Sequence, residues 1–121
     1  MNGEKKMSDE IRLISQATND TYKTSVGSEI SVIKIKNNIL MTTKQMAKLY
    51  GVVRPTITRH LLKLFMTKKL NKKAVSSVLS HRADDEKLYE TRYYNAEAII
   101  AVGLSLKKVE VDGFREWLAD K

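Results

Sequence analysis

The fold is decided by residues 41–65, which have the sequence MTTKQMAKLYGVVRPTITRHLLKLF. Thr42 and Gln45 fit a capping box, in which each side chain satisfies a free backbone N–H of the first helical turn. Gly51 can adopt the positive φ with which many helices end. Pro55 is tolerated in the first turn of a second helix, because the N–H groups there have no helical partner. The stretch therefore predicts two helices joined by a tight turn.

The second predicted helix, from about Arg54 to Phe65, has an apolar face and a polar face. The apolar residues recur at helical spacing and are expected to pack against the first helix: Ile57, Leu61 and Leu64. The opposite side groups four hydrogen-bond donors at i, i+3, i+4 and i+7: Thr56, Arg59, His60 and Lys63. A recognition helix presents such a face to the major groove of duplex DNA, and we interpret His60 as one of its groove-facing donors.

We expect seven residues of the two helices to contact DNA: Lys44, Arg54, Thr56, Thr58, Arg59, His60 and Lys63. Arg59 is the first candidate for a base edge, because a guanidinium can pair with both acceptors of guanine. Thr56 and Thr58 suit phosphates or a thymine methyl group. Lys44 and Lys63 are expected to bind phosphates, which fixes the register of the protein without reading sequence.

Strands are predicted on both sides of the helix pair. Ile30–Met41 contains two short β-branched runs around an Asn-containing turn, which favours a hairpin. A second hairpin is predicted from Val75–Ala83 and Leu88–Asn95. Helical spacing then predicts helices over Ala96–Leu104 and about Val111–Ala119. The expected fold class is α+β, a winged-helix-like helix-turn-helix domain with two small β-hairpins and C-terminal helices.

The chain has 121 residues, a length that fits one domain. We expect the helix-turn-helix DNA-binding domain to cover residues 30–121. Residues 1–29 are mixed in charge, and Asn19, Asp20 and Thr21 interrupt any helix in this segment. It is therefore predicted to be poorly ordered or loosely attached.

Positive charge is concentrated in the middle of the sequence. The net charge is +8, yet no Asp or Glu occurs between Ile30 and Ala83, where twelve Lys and Arg residues lie. The flanking segments together carry ten basic and fourteen acidic residues. Phosphate binding needs unopposed cations on one surface, so this distribution favours double-stranded DNA as the partner.

Other functional classes find little support in the residue types. The chain has no Cys, two His without recognisable ligand or triad spacing, and no Gly-rich phosphate loop. We therefore expect no catalytic residue, no metal site, no cofactor and no enzymatic activity. No apolar run approaches the roughly 18 residues needed to span a bilayer, so we expect no membrane partner. The lack of cysteine is compatible with a reducing cytoplasm, where we expect the protein.

Two further runs extend the pattern of residues 41–65: LYETRYYNAEAIIAVG at residues 88–103 and GFREWLA at residues 113–119. Together the three runs resemble the RhuM or virulence-protein family of DNA-binding proteins, which are found in bacteria and their mobile elements. The resemblance covers about residues 30–119. It implies a winged-helix-like DNA-binding module.

This resemblance implies a sequence-specific double-stranded DNA-binding protein, a transcriptional regulator encoded by a bacterium or a mobile element. The chain departs from the family pattern at Val53 and Pro55, where we expect Ser, so a side-chain cap of the second helix is lost. Residues 104–112 also differ from the linker usual in the family. These departures concern the docking and the final helix.

A protein-interaction adaptor or antitoxin-like partner is the main alternative, because the same helix pair also occurs in proteins that bind only protein. Asp84, Asp85 and Glu86 at the tip of the second hairpin would repel phosphate and would suit such a partner. RNA binding is a weaker reading, because exposed aromatic residues would be expected for it. The tyrosines of the second hairpin fit strand packing better than base stacking: Tyr89, Tyr93 and Tyr94. A homodimer also stays open.

Overall fold

The computed structural model describes residues 11–13, 17–82 and 85–121, which form an α+β fold as expected. The strands, in chain order, are β1 (Ile11–Leu13), β2 (Thr18–Lys23), β3 (Glu29–Ile35), β4 (Asn38–Met41), β5 (Ser76–Arg82) and β6 (Leu88–Asn95). The helices are α1 (Thr43–Tyr50), α2 (Arg54–Met66), α3 (Lys72–Val75), α4 (Ala96–Leu106) and α5 (Glu110–Ala119). None of these helices is long and apolar enough to cross a membrane.

The described strands form one sheet in the order β1-β5-β6-β4-β3-β2. Both predicted hairpins are present, β3 with β4 and β5 with β6, and β1 alone runs parallel to its neighbour β5. No local sequence pattern predicts that the two hairpins join. They do so because β4 pairs with β6, with Leu40 opposite Asn95 and Met41 opposite Tyr94. The chain therefore leaves the sheet after Met41, forms the helix pair, and returns to the same sheet at Ser76.

The segment before Ile30 differs from the expectation of loose attachment. Strand β2 pairs antiparallel with β3, from Thr18 opposite Lys34 to Lys23 opposite Glu29. Polar residues are tolerated in β2 because it is an edge strand with one side in solvent. Its Tyr22 is buried and forms aromatic contacts with α5. The expectation therefore fails for residues 18–29, while residues 1–10 and 14–16 lie outside the described residues.

Both faces of the sheet carry apolar side chains, because successive strand residues point to opposite sides. One face joins the helices in the main core, to which the strands β3 and β4 contribute Ile30, Val32, Ile39 and Met41. The other face holds a smaller cluster of Ile33, Ile35, Leu40 and Leu79. The helices therefore lie on one side of the sheet.

Helix α4 fixes the position of α1 within the main core. The hydroxyl of Tyr50, the last residue of α1, is buried and donates a hydrogen bond to the carbonyl of Ile99 at 2.6 Å. Gly103 makes this approach possible, because a Cβ there would lie 2.5 Å from the Tyr50 hydroxyl oxygen and 2.8 Å from Cβ of Val111. The helix pair is thereby tied to the C-terminal helices.

Candidate nucleic-acid interface

Helix α1 begins with half of the predicted capping box. Thr42 Oγ1 accepts a hydrogen bond from the backbone N–H of Gln45 at 3.2 Å. The reciprocal bond is not formed, because Gln45 Oε1 accepts instead from the backbone N–H of Ser31 in β3, at 2.9 Å. Gly51 ends the helix at φ 65°, as predicted. The Gln45 side chain therefore holds the start of α1 against the sheet.

Helix α2 buries the predicted apolar stripe of Ile57, Leu61 and Leu64. Its first turn has no side-chain cap, as predicted from the apolar Val53 at the N-cap position, and Pro55 occupies that turn. Val53 is 68% exposed. Helices α1 and α2 are in contact across a three-residue turn, so the stripe faces the core and the opposite side of α2 faces outward.

Five of the seven predicted contact residues are exposed on the two helices: Lys44, Arg54, Thr58, Arg59 and Lys63. Arg54 Nε donates a hydrogen bond to Thr43 Oγ1 at 3.0 Å, which holds its guanidinium beside the first turn of α1. Thr58 Oγ1 lies 3.5 Å from the backbone oxygen of Arg54, the preceding turn of its own helix. Arg59 and Lys63 therefore form the outward cationic pair of α2.

The predicted polar face of α2 is displaced from the face that is exposed. Thr56 and His60 are half-buried, and His60 Nδ1 lies 2.7 Å from Oγ of Ser105, a hydrogen-bond distance. Because Ser105 belongs to α4, this side of α2 is directed toward a neighbouring helix. His60 is thus not the freely outward donor that the helical spacing predicted. Thr56 lies one turn before it on the same side.

The exposed face contains apolar residues that the sequence analysis missed. Leu62 is 54% exposed and Met66 is 81% exposed. Both line a shallow open surface together with Pro55 and the cationic pair Arg59 and Lys63. The sequence spacing could have indicated this exposure. Leu62 and Met66 are one helical turn apart, and neither belongs to the buried stripe that contains Leu61.

The charged side chains carried by α1 and α2 are all basic. No carboxylate of the described residues forms an ion pair with the cations of these helices, and more lysines follow at Lys68, Lys69, Lys72 and Lys73. The ion pair between Lys121 and Asp20 of β2, at 3.0 Å, involves neither α1 nor α2.

The β5–β6 hairpin has a different chemistry at its tip. Asp85 and Glu86 are exposed there, and a hydrogen bond from the Tyr89 hydroxyl at 2.7 Å lowers the pKa of Asp85 below its usual value. The carboxylate is thus held ionised, which disfavours contact of the tip with phosphate. Tyr94 is buried and Tyr93 half-buried on β6, in agreement with strand packing, whereas Tyr89 is 43% exposed, contrary to that prediction. Within the described ranges, no cluster of three or more His, Cys, Asp or Glu has a metal-binding arrangement.

Comparisons with protein-family models, with curated proteins and with solved structures each found no match for this chain. The resemblance to the RhuM family therefore stays a prediction from the sequence motifs.

Proposed function

We propose that the chain is a sequence-specific double-stranded DNA-binding protein, with α2 as its recognition helix. The observation that carries the proposal is the exposed face of α2, where Arg59 and Lys63 project without a carboxylate partner in the described chain. Cations on one helix face can neutralise phosphates on both sides of a groove while a guanidinium reaches a base edge. The biological role that follows is regulation of transcription in a bacterium or a mobile element, in the cytoplasm.

The order of elements supports a winged-helix arrangement for this function. Strand β4 precedes α1 and α2, the β5–β6 hairpin follows them, and β6 pairs with β4. In a winged helix the hairpin after the recognition helix is the wing. Lys72, Lys73 and Arg92 lie with Glu90 at the end of this hairpin nearer α2, whereas Asp85 and Glu86 lie at its tip. We infer that the wing contacts phosphate through its basic end.

Salt dependence tests the electrostatic part of the proposal. If about six phosphates are neutralised, log K for a non-cognate duplex plotted against log salt falls with a slope of about −5. Arg59→Ala should weaken this binding, whereas Arg115→Ala, which removes an exposed arginine from α5, should leave it unchanged. A flat salt dependence, or equal effects of the two substitutions, contradicts the proposal.

Arg59 and Lys63 are expected to have different roles. On a selected site, Arg59→Ala should cost about 1–3 kcal/mol and remove discrimination at one base pair. Lys63→Ala should weaken all duplexes equally and reduce the salt slope by about one unit. Competition binding over single-base variants measures both effects. Uniform loss in both variants would mean that α2 lies along the backbone and does not read bases.

A protein-interaction adaptor is the second candidate, and the exposure of Leu62 and Met66 favours it. Apolar side chains at the centre of a charged surface are typical of protein interfaces. An adaptor would bind no duplex even at low salt, and Leu62→Asp would abolish binding of its protein partner. DNA binding that depends on Arg59 excludes this candidate as the main function of the surface.

A further inference from the structure

Leu62 lies at the centre of the exposed face of α2. It follows Arg59 by three residues and Pro55 by seven, spacings that place all three on one side of a helix. The same open surface includes Lys63 next to Leu62 and Met66 one turn later. An exposed leucine is therefore surrounded by cations and by the aliphatic parts of their side chains.

Charge determines what can cover this face. A second copy of the chain, packed face to face across α2, would bring Arg54, Arg59 and Lys63 against their own copies. No carboxylate occurs between Ile30 and Ala83 to compensate them. Like charges in a desolvated contact are unfavourable, so self-association through this face is disfavoured. The occupant must be anionic around its edges and apolar where it meets Leu62.

The major groove of duplex DNA has this combination. Phosphates line both edges, and each thymine presents a C5-methyl group on the groove floor. We propose that Leu62 packs against the methyl group of a thymine adjacent to the base that Arg59 contacts. This inference rests on the proposed function and adds to it the class of base step that the helix reads.

Other side chains on α2 are less suited to this role. Thr56 is half-buried on the side of α4, and the hydroxyl of Thr58 is directed to the backbone of Arg54. Met66 is the last residue of α2. The N-terminal part of a recognition helix enters the groove more deeply than its end. Of the two exposed apolar side chains that follow Arg59, Leu62 lies nearer the N-terminus of α2 than Met66 and is the better placed to reach a base.

Deoxyuridine tests the contact because it removes only the thymine methyl group. A duplex is first enriched from a random pool with the whole chain, and each thymine is then replaced in turn. At one position the wild-type affinity should fall about fourfold, the equivalent of one buried methyl group. Leu62→Ala should bind the thymine and deoxyuridine duplexes equally. Met66→Ala, a matched control on the same face, should keep the fourfold difference.

Each outcome decides between the proposals. Enrichment of a duplex that is insensitive to deoxyuridine at every position overturns the Leu62 contact and leaves DNA binding intact. The contact is also overturned if Leu62→Ala keeps the difference or Met66→Ala removes it. If the wild-type chain enriches no duplex, the proposed function itself is overturned and the protein adaptor takes its place. Both alanine variants should melt at the wild-type temperature, which would show that their changes in affinity do not come from loss of folding.

Discussion

Helices α2 and α4 pack against each other, but they differ in which of their side chains are buried. In α4, Ala98, Ile99 and Val102 are completely buried, and Gly103 lies in contact with α1. In α2 one stripe is buried and the opposite face presents cations and Leu62 to solvent. Helix α4 therefore positions the helix pair, while we propose α2 as the surface for a partner. Stability and binding are therefore expected to depend on different residues.

The largest effect is expected from a charge in the buried stripe of α2. Ile57 is completely buried, so Ile57→Asp should destabilise the fold by about 4 kcal/mol or more. Leu62→Asp places the same carboxylate on the exposed face and should change stability by less than about 0.5 kcal/mol. Urea unfolding of both variants measures the contrast. Similar midpoints would show that the two faces of α2 are wrongly assigned.

A methyl group added to α4 should have the next largest effect. Gly103→Ala places a methyl group within 2.8 Å of both the buried Tyr50 side chain and Cβ of Val111, at a cost of about 1–3 kcal/mol. Gly113→Ala is the matched control in α5, where the new Cβ meets the tip of the Tyr22 side chain, which can shift. That substitution also gains helix propensity, so its net effect should stay within about 1 kcal/mol. Equal losses would show that α4 does not hold α1 closely.

The hydrogen bond between α1 and α4 should contribute less. Tyr50→Phe leaves the carbonyl of Ile99 without its buried donor and should cost about 0.5–1.5 kcal/mol. Burial also raises the pKa of Tyr50 above its usual value. The folded state therefore resists ionisation, and the wild type should lose stability as pH rises above about 10, where the unfolded tyrosine ionises. Tyr50→Phe should show a shallower loss; an identical slope would contradict the burial of this hydroxyl.

The smallest effect is expected where α2 meets α4. Ser105→Ala removes the partner of His60 Nδ1 and should cost less than about 1 kcal/mol, because the site is only half-buried. Affinity for a non-cognate duplex should not change, since this side of α2 is directed toward α4. Anisotropy titration checks the prediction. A loss of affinity as large as that of Arg59→Ala would place His60 in the interface after all.

The local elements of the fold were predictable from the sequence, and the long-range ones were not. Turn residues and helical or alternating spacing located both hairpins, the helix pair and the last two helices. The β4–β6 pairing joins residues far apart in sequence, so no local pattern indicates it. Strand β2 was missed because Asn19 and Asp20 are typical of turns, but an edge strand accommodates them.

The candidate site was predictable to the same extent. Periodicity located the buried stripe of α2, and with it the exposure of Arg59 and Lys63. It could not indicate that α4 covers the side of His60, because that depends on tertiary packing. Leu62 was missed because it belongs neither to the apolar stripe nor to the hydrogen-bond donors by which the polar face was defined. The predicted face was consequently shifted around the helix toward α4.

Backbone amide chemical shifts of the whole chain can locate the DNA-binding surface. They are recorded while a short duplex is added at low salt. The proposal predicts perturbations along the exposed face of α2, centred on Arg59, Leu62 and Lys63, and at the first turn of α1. Amides of β2 and α5, which contribute no residue to the open surface of α2, should not shift. Perturbations centred on α5 or on the acidic hairpin tip, or no perturbation at all, would contradict α2 as the DNA-binding element.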